Sequence, residues 1–102
     1  MNSIDAMPIS ADDKKRLEEI KQLSRQVIYT DPGHEMPLEA IRRLIFLASC
    51  FDYLKLNASM ISLGLKRYQS LKQSQKIKDA ESSIRDHAYS IDAEVTQILN
   101  RE

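Results

Sequence analysis

The amino-acid sequence predicts an all-α protein, a small antiparallel bundle of three to four helices with a flexible N-terminal arm. Apolar residues recur at steps of three and four through most of the chain. All three prolines and one of the two glycines fall before residue 38, leaving Gly64 as the only strong breaker beyond it. No segment alternates polar with apolar side chains as a half-buried strand does. The 102 residues amount to one domain, and a hydrophobic fraction of 42% beside 29% charged residues suits a chain that buries a core.

Residues 1–9 show no periodicity and include Pro8, so they are expected to form a loose arm ahead of a single domain over 10–102. Ser10 followed by Asp13 has the spacing of a reciprocal N-cap. Behind it Leu17, Ile20, Leu23 and Val27 make one apolar face opposite Lys14, Lys15, Arg16, Glu18 and Lys21. Residues 29–37 end this helix: Pro32-Gly33 is a turn signal, and Pro37 is placed as a first helical residue. The second helix is expected from Pro37 to about Lys55. Leu38, Ile41, Leu44, Ile45, Leu47, Ala48, Phe51 and Leu54 cover more than half its circumference, which predicts a central element surrounded by neighbours.

Asn57-Ala58-Ser59 offers the next break, because Asn and Ser cap helices well and fill their interiors poorly. A third helix over 59–74 follows, with Met60, Ile61, Leu63, Leu65, Tyr68 and Leu71 as apolar contacts and Gly64 as a weak point or a site of close packing. In the fourth, Ile77, Ile84, Ile91 and Ile98 stand seven residues apart with Ala80, Ala88 and Val95 between them. That ladder needs a partner surface. It either docks within the fold or forms the seam of a homodimer through this helix, although His87 and Glu94 interrupt a regular coiled coil.

Several function classes are disfavoured. Fifteen basic residues balance fifteen acidic ones, so the strong positive field of a phosphate-binding protein is missing and nucleic acid is the lesser expectation. The start lacks the basic and apolar regions of a secretory signal. The densest apolar run, 44–51, falls far short of the ~20 residues of a membrane span. A lone cysteine, Cys50, precludes an intrachain disulfide and suits a reducing compartment, so a cytoplasmic location is expected. Cys50 lies in the most apolar stretch and is expected to be a buried, inert thiol. Neither His34 nor His87 has a second ligand at metal-binding spacing, and no phosphate loop or nucleophile elbow is present. No catalytic, metal or cofactor residue is therefore assigned.

Charge is unevenly spread. Lys66, Arg67, Lys72, Lys76 and Lys78 meet no acidic residue over 66–78, whereas six acidic against two basic residues give 79–102 a net charge of −4. Between Pro32 and Pro37 a stiffened loop presents His34, Glu35 and Met36, either for binding or simply to turn the chain. The resulting expectation is a non-enzymatic module that binds another protein, with Ile77, Ile84, Ile91, Ile98, Lys66, Arg67, His34 and Met36 as candidate contacts. The alternative is a small DNA-binding transcriptional regulator reading through 59–78 after a turn at 57–60. Met60, Ile61, Leu63 and Leu65 crowd that element, and its turn has no glycine. In size and helical pattern the chain resembles small adaptors, secretion chaperones, antitoxins and immunity proteins, a likeness of architecture alone.

Overall fold

A computed structural model describes residues 9–30, 35–70 and 77–100. Four helices follow in order, α1 (Ala11–Ile28), α2 (Leu38–Ala48), α3 (Lys55–Ser70) and α4 (Ile77–Asn100). The expected all-α bundle is the observed one.

Helix α1 starts where its cap lies. The Ser10 hydroxyl accepts the Asp13 backbone N–H at 3.1 Å, satisfying one of the donors a helix start leaves open. The reciprocal half does not form, because the Asp13 carboxylate accepts from Arg16 at 3.0 Å instead. Leu17, Ile20 and Val27 are fully buried, each worth about 1.5–3 kcal/mol before entropy is subtracted. Ser24, buried among them, donates to the Ile20 carbonyl at 2.8 Å and so leaves no bare hydroxyl in the core.

The helices run alternately up and down in a ring. Arg25 of α1 meets Asp92 of α4 at 3.3 Å, while Arg85 donates to the Thr30 carbonyl at 3.1 Å, so these two helices are antiparallel. The Met36 N–H, just before α2, donates to the Tyr68 hydroxyl near the end of α3 at 3.2 Å, which sets that pair antiparallel as well. Each helix packs on two neighbours: α1 on α2 and α4, α3 on α2 and α4. Helix α2 is thus one member of the ring and not its surrounded centre. Its outer face carries Arg42, Phe46 and Cys50 to solvent, because an eleven-residue helix between only two neighbours has a free side.

The break between α2 and α3 falls at 49–54, earlier than the sequence predicts. Neither Gly nor Pro makes it. The Cys50 and Phe51 N–H groups reach back three residues to Leu47 and Ala48, tightening the end of α2. The Ser49 hydroxyl and the Cys50 thiol then donate to the Ile45 and Phe46 carbonyls. Phe51 and Leu54 are buried and anchor the turn in the core. Asn57, expected as a cap, lies inside α3, where its side-chain oxygen sits 3.1 Å from His87 Nδ1 on α4. That contact satisfies the amide without ending the helix.

Gly64 is a close-packing site. A Cβ there would stand 2.9 Å from Ile84 Cγ1, so only glycine lets α3 approach α4 this closely. Among the described residues, no helix is long and apolar enough to cross a membrane.

Candidate interaction surface

Helix α3 carries apolar side chains on two faces. Ala58, Ile61, Leu65 and Tyr68 point into the core and are buried. Leu56, Met60 and Leu63 stand on the opposite side, 74%, 37% and 55% exposed. Met60 and Leu63 were expected among the core contacts. They face outward because the 3.6-residue period places them about half a turn from Ile61 and Leu65.

Steps of four, three and four residues link Leu56, Met60, Leu63 and Arg67 into one file along the outer face. Lys55 and Lys66 are exposed beside it, and α3 contains no acidic residue. The α4 edge of the file holds the half-buried His87 and its Asn57 contact. At the start of α3 lies the exposed Tyr53, its ring tilted against Phe51 with centroids 5.6 Å apart. Partial burial, helped by the negative charges of Asp13 and Glu94, pushes the Tyr53 phenol above its ordinary range.

On α2 the exposed Phe46 lies under the Arg43 guanidinium, 5.8 Å from the ring centroid. Glu19 of α1 grips that guanidinium with both oxygens, at 3.0 and 3.4 Å. Its hydrogen bond and charge push Arg43 further above its already high range. A shallow cleft of about 400 Å³ lies elsewhere, lined by Glu18, Lys21, Gln22, Arg25 and Leu99. Among the described residues no group of three or more His, Cys, Asp or Glu side chains is placed to hold a metal ion.

The predicted contact residues do not converge. Ile84 and Ile91 are fully buried, and Ile77 and Ile98 are packed partly buried against the same core, so the ladder docks within the fold. Lys66 and Arg67 are exposed at the end of the α3 file. Met36, expected on a presenting loop, is instead 2% exposed, drawn inward by its apolar side chain and the bond of its N–H to Tyr68. His34 lies outside the described residues, as do Leu71, Lys72, Lys76 and residues 1–8 of the expected arm. Ile9, placed in that arm by the sequence, packs against the core. Cys50 is exposed, contrary to the expectation of a buried thiol, because the turn at 49–54 swings it to the outer side of α2.

The acidic tail is partly neutralised inside the fold, Asp92 by Arg25 and Glu81 by Arg85 at 3.7 Å. Asp79, Asp86 and Glu94 remain exposed. Leu56 escaped sequence reasoning because the break was expected just after it, which left it in neither helix. Starting α3 at Lys55 exposes the signal, two apolar files on opposite sides of one helix.

Comparison with known protein families, characterised proteins and solved structures finds no match, so the surface stands on its own geometry.

Proposed function

We propose that this chain is a protein-binding module whose contact surface is the outer file of α3, and that it acts by association without chemistry. Single exposed leucines are ordinary on protein surfaces. The observation that carries the reading is their alignment, with Leu56, Met60 and Leu63 in consecutive turns of one helix and facing water together. Anchors at i, i+4 and i+7 are what a helix offers when it docks lengthwise against another apolar surface. The basic pair Lys66 and Arg67 continues the file and supplies orientation, since charge at a contact's edge chiefly sets register and association rate.

The test compares wild type with a Leu56→Asp/Leu63→Asp double variant as baits in native cell extract, with circular dichroism to verify that both are folded. A protein retained by wild type and lost by the folded variant is the expected result. Identical captured sets would contradict the reading.

A further inference from the structure

Resting on the reading of the α3 file as a protein-binding surface, we propose that its occupant is an acidic amphipathic helix of another protein, laid along α3 as in a coiled coil. The spacing selects a helix. Leu56, Met60, Leu63 and Arg67 follow the alternating four and three of a heptad seam, one residue wide, bordered by Asn57, Ser59 and Ser62. A bilayer surface would be met by a broader apolar face than this single file.

Charge selects an acidic partner. Lys55, Lys66 and Arg67 are the charged residues of α3 and all are cationic. Arg67 holds the fourth seam position and makes no ion pair among the described residues, so a docked helix must set a carboxylate opposite it. At the other end Asp52 lies 3.6 Å from Lys55, and the charges of Asp13 and Glu94 bear on Tyr53, so the acidic preference rests on Lys66 and Arg67.

A second copy of the chain fits poorly. A two-fold crossing at Met60 would match Leu56 with Leu63 of the other copy. Lys55 and Lys66, however, are eleven residues apart and lie on the same edge of α3. The crossing would bring each Lys55 alongside Lys66 of the second copy, like charge against like. The acidic face of α4 is no better, since Asp79, Asp86 and Glu94 are interleaved there with Ser82, Ser90 and Ala93 and offer no exposed file of leucines.

The experiment titrates the full chain into two fluorescein-labelled synthetic helices, each with leucine at the seam positions. One has glutamate flanks and the other lysine flanks, and fluorescence anisotropy is read at low and high sodium chloride. The glutamate peptide is expected to bind about tenfold tighter or more, to weaken as salt rises, and to lose its advantage against a Lys66→Glu/Arg67→Glu variant. Binding should disappear with Leu56→Asp/Leu63→Asp. Equal binding of both peptides, abolished by the leucine substitutions, would overturn the acidic partner and leave the α3 surface standing. Failure of both peptides to bind would also overturn it, with the extract comparison still deciding the surface itself. Leucine-dependent dimers in light scattering would overturn it in favour of a second copy. Leucine-dependent partition onto phosphatidylserine vesicles, with no peptide binding, would overturn it in favour of a membrane.

Discussion

Helices α3 and α4 both carry large apolar residues in file, at spacings that look alike in the sequence. On α4 the file is Ile77, Ile84, Ile91 and Ile98, closed off by α1 on one side and α3 on the other. On α3 the outer file is Leu56, Met60 and Leu63, and among the described residues no element of the four-helix ring covers it. Periodicity therefore identifies a helical face, while topology decides whether that face meets the core or water. Helix α3 already fills its place in the ring with Ile61, Leu65 and Tyr68, so its second apolar face is surplus to the fold.

The comparison is sharpened most by shortening one side chain in each file. Ile84→Ala removes atoms from a fully buried site and is expected to lower stability by about 2–5 kcal/mol, whereas Leu63→Ala should fall within about 0.5 kcal/mol of wild type. Urea denaturation measures both, and equal losses would erase the distinction between the faces.

A smaller effect lies where the two helices touch. Gly64→Ala sets a methyl 2.9 Å from the stiff Ile84 side chain. Overpacking of about 1–3 kcal/mol then outweighs a helix-propensity gain of about 1 kcal/mol. The variant should be destabilised, and combining it with Ile84→Ala should cost less than the sum of the two single changes. Strict additivity would mean that the close approach is absent.

The cap tests whether α1 holds its place independently of both files. Ser10→Ala should cost about 1 kcal/mol by leaving the Asp13 N–H to water, as a thermal melt would record.

The smallest expected effect is a pH dependence at the start of the open file. Because the Tyr53 phenol is held above its ordinary range, folding favours its protonated form. Its contribution is complete below the unfolded tyrosine value of about 10 and is lost as pH rises through the higher folded value. Tyr53→Phe should remove that part of the alkaline slope. An unchanged slope would show that Tyr53 ionises alike in both states.

The fold was legible wherever a local signal and a tertiary contact agree. Ser10 caps α1 as its spacing predicts, the isoleucine ladder docks, and Gly64 marks a close helix contact. Reading failed where tertiary packing overrode local preference. The turn at 49–54 has no breaker residue and exists because Phe51 and Leu54 are buried while short backbone bonds close the end of α2. Asn57 resembles a cap but is satisfied by His87, a partner thirty residues away that no local window contains. Met36 lies between prolines in a segment that resembles a presenting loop, yet its side chain is drawn into the core beside Tyr68. The candidate surface was visible only in part. Lys66 and Arg67 stood out by charge, whereas Leu56, Met60 and Leu63 could be told from core residues only once the start of α3 was placed at Lys55.

The open and closed files can be compared directly by thiol labelling in a Cys50→Ser background, which removes the exposed native cysteine. Leu63→Cys and Ile84→Cys are each reacted with a water-soluble disulfide reagent under native conditions, and their rates are compared with those in urea. The thiol from Leu63→Cys should react almost as fast in the folded protein as in the unfolded one, and the thiol from Ile84→Cys only through global opening, orders of magnitude more slowly. Comparable native rates at the two positions would contradict the account.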